Sequence, residues 1–158
     1  MSMRQRVYID TSVIGGCYDF EFEEWSGRLF DDFISGKKIA VVSDITLDEL
    51  MDAPVRVQKK FREVPENSLE IYLSDNESRI LADNYLSDGV ISNKFYEDAL
   101  HIAIATVNQV NVLASWNFKH IVNLNRIRLY NAINIKNGYA ILEIRTPREI
   151  ILFEDYEN

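Results

Sequence analysis

Three carboxylates and one amide stand at positions where they could do chemistry. They are Asp10 in Val7-Tyr8-Ile9-Asp10-Thr11-Ser12, Glu49 in Thr46-Leu47-Asp48-Glu49-Leu50, Asp98 in Tyr96-Glu97-Asp98-Ala99-Leu100-His101, and Asn117 in Leu113-Ala114-Ser115-Trp116-Asn117. Each falls where the pattern predicts a strand end or an early helical turn. Acids gathered from distant segments repel one another unless protons or cations neutralise them. Oxygen-only ligand sets suit Mg2+ or Mn2+, and such ions serve enzymes acting on phosphodiesters. Other chemistries find no support. Cys17 is the sole cysteine and lies in no catalytic signature, His120 is isolated, and Gly15-Gly16 lacks the Lys of a phosphate loop. An aspartyl-phosphate phosphatase would need Asp-x-Asp where this chain has Asp10-Thr11-Ser12.

Each of these residues also has a plainer reading. Asp-Thr-Ser favours local backbone hydrogen bonds, so Asp10 could be a cap, although an ionised acid ending a buried strand needs a partner. Thr46 and Glu49 fit a capping box by themselves, and Asp48 competes with Glu49 for the site. Asp98 is expected past the first helical turn, flanked by Phe95, Ala99 and Ile102, where no capping role is available. His101 follows one turn later, where it could touch Asp98 and support the site; a lone histidine on a helix packed against a sheet is more often a satisfied structural group than a base. Asn117 either orients a water through its carbonyl oxygen or caps the turn Phe118 to Ile121. Ser12 and Ser115 are expected to support the carboxylates by hydrogen bonding.

The elements that must position these groups alternate. Arg6 to Ile9 predicts a central strand, Ile39 to Ser43 a second, Val112 to Ala114 a third, and Ala140 to Ile144 a fourth. Between them, Phe22, Trp25, Leu29, Phe30 and Phe33 predict a helix over Phe22–Ser35, stopped by Gly36 with Lys37 and Lys38 near its negative end. Thr46 is expected to open a helix, and Asp52 to cap a second over Pro54–Arg62. Ser74-Asp75-Asn76-Glu77 matches a capping box for a helix running to Leu86, Ser92–Val110 predicts the most regular helix, and Leu124–Asn137 another, closed by Gly138. Pro147 begins a final short turn or helix. Alternation of this kind implies a three-layer α/β/α sandwich around a mostly parallel sheet of about four to five strands. Ligands bind beyond the carboxyl ends of such strands, where Asp10, Glu49, Asp98 and Asn117 are expected to converge.

The 158 residues, 47 % hydrophobic and 27 % charged, fit one domain over 1–158 with a short C-terminal extension after about residue 146. The net charge of −8 argues against a nucleic-acid binder, yet the acids are unevenly placed. Asp19, Glu21, Glu23, Glu24, Asp31 and Asp32 crowd one segment, while Arg56, Lys59, Lys60 and Arg62 form the one dense basic patch, whose blander reading is a solvated helix face. The single cysteine fits a reducing compartment. No stretch approaches the ~20 apolar residues of a membrane span, and no signal peptide is read at the N-terminus, so the expected compartment is the cytoplasm. Trp25, Phe30, Val55, Val57 and Phe61 offer more apolar surface than one thin layer needs, which predicts a second copy or a partner segment.

Taken in order, these motifs resemble those of PIN-domain nucleases. The matching pieces are Ile9-Asp10-Thr11-Ser12, Glu49 on the next helix, Asp98-Ala99-Leu100-His101-Ile102-Ala103-Ile104-Ala105, and Ser115-Trp116-Asn117-Phe118, spread over roughly residues 6 to 145. The resemblance implies Mg2+- or Mn2+-dependent cleavage of single-stranded or structured RNA. Asp10 and Asp98 would hold the ion, Glu49 directly or through water, and Asn117 would complete the shell. Many bacterial and archaeal members resemble the toxin halves of toxin–antitoxin pairs, which implies an antitoxin partner. Asn117 departs from the fuller acidic set, which has Asp there. An alternative implied by that departure is a PIN-fold interaction module with weak or no catalysis.

Overall fold

Period-two alternation along the strands sorts the core into two halves. In this computed structural model, which describes residues 3–157, β1 (Gln5–Ile9), β2 (Lys38–Ser43), β3 (Leu69–Tyr72), β4 (Val112–Ala114) and β5 (Ile144–Arg145) form one parallel sheet ordered β3-β2-β1-β4-β5. Tyr8, Val41 and Leu113 face one way, into a cluster with Leu81, Tyr85, Ile102 and Tyr130. Val7, Ile9, Ala40, Val42, Val112 and Ala114 face the other, against Val13, Leu29, Phe30, Phe33, Ile150 and Ile151. Because both faces are covered, the central strands read as continuous apolar runs.

The first face is covered by α5 (Asn76–Ser87), α6 (Tyr96–Val107) and α7 (Leu124–Lys136). The second carries α1 (Thr11–Gly16), α2 (Glu23–Ile34), α3 (Asp44–Met51), α4 (Val55–Arg62) and α8 (Pro147–Glu157). Gly36 ends α2 at φ +85°, the left-handed conformation that glycine adopts without a Cβ penalty, and the Lys37 and Gly36 amides close back onto Asp32 and Phe33. Among the described residues no helix is long and apolar enough to cross a membrane. The parallel layered architecture is the one the alternation of elements predicts.

Several local expectations give way. β3 has no counterpart in the sequence reading: four residues with Glu70 in the middle lack a strong apolar signal, and the strand is held instead by pairing to β2 and by Arg6, 2.8 Å from Glu70. The fourth predicted strand shrinks to Ile144–Arg145. The box opening α3 is Ser43 with Thr46, so Glu49 has no capping duty. Asp52 ends α3 rather than starting α4, whose N-cap is Pro54 with no side-chain bond. Asp75, not Ser74, caps α5, because the Ser74 hydroxyl donates to Asp44 at 2.7 Å. α6 begins at Tyr96 after a 3-10 turn, so Asp98 lies in its first turn. Lys38 is no solvated dipole partner; it is buried at the start of β2. Phe30 and Val57 are core, while Val55 is exposed.

Candidate active site

From β1 the chain continues through β2 to β3 on one side, while β4 and β5 lie on the other. The order reverses between β1 and β4, and the crevice beyond their carboxyl ends is where open α/β sheets bind ligands. Ile9 pairs with Ala114, so the next residues out, Asp10 and Ser115, meet at that point. The Ser115 hydroxyl donates to Asp10 Oδ2 at 2.6 Å and the Ser12 hydroxyl to Oδ1 at 2.5 Å. The Val13 amide also reaches Oδ1, so Asp10 caps α1 while serving as the centre of this cluster. The capping reading of Asp10 holds, and its place beside the other acids keeps it a candidate site residue.

Glu49 faces the cluster from α3, whereas its competitor Asp48 is exposed. Its carboxylate meets His101 Nε2 at 2.6 Å. The other ring nitrogen, Nδ1, meets the Tyr8 hydroxyl at 2.6 Å, and that hydroxyl lies 2.7 Å from Ser43 Oγ. His101 is therefore a buried link between the sheet and Glu49. Burial opposes a charge on its ring, but Tyr8 and then Glu49 outweigh it and hold the pKa well above the ordinary histidine value. Tyr8 is the member of this chain of contacts that the sequence reading passed over. A signal was present, since a tyrosine inside a buried strand needs a partner for its hydroxyl.

Asp98 completes the group from α6. Its nearest side-chain donor is the Asn117 amide at 3.4 Å, while Asn117 Oδ1 accepts the Lys119 and His120 amides at 3.2 and 3.0 Å. The backbone donors fix the amide's orientation, so the Asn117 oxygen serves the turn and its nitrogen faces Asp98. Burial pushes the Asp98 pKa up to about 6, His101 opposes that shift, and Asp10 and Glu49 reinforce it. Asp10 is raised by its own burial, again against His101 and with Glu49. The four groups are thus within electrostatic reach of one another.

The donor set fits a divalent cation in its chemistry. Its three carboxylates offer oxygen, while Asn117 turns its nitrogen towards them, and the charges that act most on Asp10 and Asp98 are His101 and the neighbouring acids, with no Lys or Arg among them. The Thr11 hydroxyl beside Asp10 is buried without a hydrogen-bond partner. Among the described residues, however, no three His, Cys, Asp or Glu side chains converge as a ready-made metal site. A concavity of about 470 Å3 lies at the other end of the sheet among Gln5, Asn111, Glu143, Glu149 and Phe153; its distance from the acids separates it from their chemistry.

No family model and no curated protein matches this chain by sequence. Solved structures do match it. VapC20 of Mycobacterium tuberculosis, described as a Sarcin-Ricin loop cleaving toxin, superposes with a TM-score of 0.56 at 10 % identity, over 72 % of this chain and 92 % of that one. VapBC2 from Rickettsia felis, solved bound to a DNA fragment from its promoter, gives a TM-score of 0.58 at 13 % identity over 90 % and 98 %. The PIN domain endonuclease Utp24 gives 0.47 at 18 % identity over 78 % and 77 %. The chain has the PIN-domain fold.

Proposed function

We propose that this chain is a ribonuclease that uses Mg2+ or Mn2+ to hydrolyse RNA phosphodiester bonds. The observation that carries this reading is the Asp10–Asp98 pair: two acids driven towards neutrality by burial, at the switch point of the sheet, with no Lys or Arg among the charges that act most on them. The one opposing charge that acts on both, His101, is already engaged with Glu49, and buried acids left this short of counter-charge are costly in a fold that has no use for them. Asp10 and Asp98 would hold the ion, with Glu49 and Asn117 at its edge. Bound there, the ion would polarise a phosphoryl oxygen and acidify a water for in-line attack.

The chain's own residues do the positioning. Ser12 and Ser115 fix the two oxygens of Asp10. His101, anchored on Tyr8, fixes Glu49 and places a positive charge beside it. The Asn117 amide sets Asp98. Burial raises the Asp98 pKa to about 6, and a cation bound beside it would favour its ionised form. The test is cleavage of mixed single-stranded RNA by purified protein, first in EDTA and then with Mn2+ or Mg2+. Cleavage that needs the ion and disappears in Asp98→Asn is expected. No cleavage with either ion would sink the reading.

The second reading, a PIN-fold module with weak or no catalysis, is favoured by the neutral amide at Asn117 and by the lack of a ready-made three-ligand set among the described residues. RNA bound but never cut would be its mark. A toxin-type role is the reading that likeness in fold to the VapC20 toxin and to VapBC2 favours. An antitoxin segment, or a second copy, would lie in the groove of about 400 Å3 between α3 and α4, lined by Leu47, Leu50, Met51 and Phe61. Light scattering of the protein alone and with a co-expressed neighbour distinguishes the two.

A further inference from the structure

The four consecutive residues Ser115 to Phe118 each have a different task. Ser115 holds Asp10, Asn117 faces Asp98, and Trp116 is buried at 8 % exposure while Phe118 keeps 52 % of its surface in solvent. Trp116 is firmly placed. Its backbone amide donates to Ser12 Oγ at 3.0 Å and its indole N–H to Ser26 Oγ at 2.9 Å. Gly16 packs so closely that a Cβ there would lie 2.7 Å from the indole nitrogen. Phe22 stacks on the indole with ring centroids 4.1 Å apart and planes 17° apart. Phe118 leans on both rings, 6.2 Å from each and tilted by 42° and 51°.

We propose that Phe118, backed by Trp116 and Phe22, is a stacking ledge for an unpaired nucleobase next to the phosphate handled by Asp10 and Asp98. The proposal rests on the nuclease reading for what reaches the site, but its own footing is the ledge. A half-exposed phenylalanine on a polar rim leaves apolar area in water, and the rigid rings beneath mean little ordering entropy is lost on covering it. The occupant follows from continuity. The ledge shares one backbone segment with two residues of the acid cluster, so a chain whose phosphate lies at the acids brings its adjoining base over Phe118. Lys119 follows directly and is exposed, and the loop carrying Phe22 also exposes Tyr18 and Phe20, with Arg56 5.2 Å from the Tyr18 ring. Cations interleaved with aromatic rings are how proteins track single strands, and every base has a π-face to offer. A paired, stacked base cannot use such a ledge, so the ligand class is single-stranded or looped-out RNA.

The test measures binding without cleavage, in an Asp98→Asn background with Mg2+ present, using a fluorescent single-stranded oligoribonucleotide and a duplex of the same sequence. Phe118→Ala should weaken single-strand binding roughly 5- to 150-fold and leave duplex binding unchanged. Phe118→Tyr should restore it, and abasic substitution at the stacked position should cost the Phe118→Ala protein nothing further. Thermal unfolding checks that the variant is folded. Single-strand affinity that is unchanged by Phe118→Ala overturns the ledge, and it leaves the nuclease reading standing if the parent protein cleaves. A change in oligomer mass on Phe118→Ala, instead of a change in RNA affinity, also overturns it, in favour of a protein contact. Phe118-dependent binding by a wild-type protein that never cleaves keeps the ledge and overturns the nuclease reading.

Discussion

At the amino ends of the strands, Lys38 is 1 % exposed and meets Asp32 at 2.5 Å and Glu154 at 2.8 Å. At the carboxyl ends, Asp10 is nearly as buried but meets two serine hydroxyls and feels the other acids of the site. The first cluster ties α2, β2 and α8 together with opposite charges in contact. The second gathers like charges, and no Lys or Arg ranks among the charges that act most on them. Both depend on burial, but the first sets one cation between two acids in direct contact, whereas the second has three acids and His101, which touches only Glu49 among them. The contrast separates a cation held between acids in contact with it from acids that, on the proposed reading, await a cation.

The largest effect expected is on activity at the second cluster. On the proposed reading, Asp98→Asn should lower RNA cleavage by roughly a hundredfold or more, because several kcal/mol of transition-state stabilisation would depend on an ion it helps hold. Its thermal midpoint in EDTA should stay level or rise as repulsion with Asp10 and Glu49 is relieved. Loss of folding with Mn2+ binding unchanged would turn Asp98 into a structural residue and erase the contrast.

Lys38→Met is the mirror experiment. It should destabilise the protein by about 3 kcal/mol, since Asp32 and Glu154 are left facing each other without their cation. Activity per folded molecule should not change. A calorimetric midpoint close to that of wild type would show that the amino-end cluster is replaceable.

The pH response should differ between the clusters as well. Asp98 has its folded-state pKa raised from 3.8 to about 6, so folding favours its protonated form. Its contribution to stability is most favourable below pH ~4, and it is lost as pH rises through about 6. Subtracting the pH–stability curve of Asp98→Asn from that of the metal-free wild type should reveal this loss between pH ~4 and ~6. Saturating Mn2+ near neutral pH should restore stability in the wild type more than in the variant. A flat difference curve would mean that Asp98 is better hydrated than its burial indicates.

Much of this was legible in local pattern. The apolar runs of β1, β2 and β4, the glycine stop of α2 and the order of the acids all follow from short-range rules. What escaped depends on partners far away in sequence. β3 exists because Ala40 to Ser43 offer it a ladder and Arg6 pairs with Glu70, neither of which is visible within residues 69–72. The burial of Lys38 depends on Glu154, brought in by α8. Ser43 caps α3 where Thr46 is expected from the sequence, and that earlier start frees Glu49 for His101. Asp98 moves the other way, into a first turn where an acid also suits the helix dipole, so its position alone argues less for function than the sequence suggests. Its pKa and its neighbours carry the case instead.

Asn117 is where the two kinds of cluster come closest, because its oxygen has a structural duty and its nitrogen faces the acids. Asn117→Asp keeps a carboxylate oxygen for the Lys119 and His120 amides, and Asp caps such a turn about as well as Asn. It replaces the amide that donates to Asp98 at 3.4 Å with another acceptor, so a weak attraction becomes a repulsion between carboxylates. The metal-free protein should lose about 1 kcal/mol, and Mn2+ affinity should rise severalfold as a further charged oxygen joins the set. Calorimetric titration of the two proteins with Mn2+ measures the difference. Equal affinities would assign Asn117 wholly to the turn, leaving Asp10, Asp98 and Glu49 as the groups at the carboxyl ends that answer to a cation.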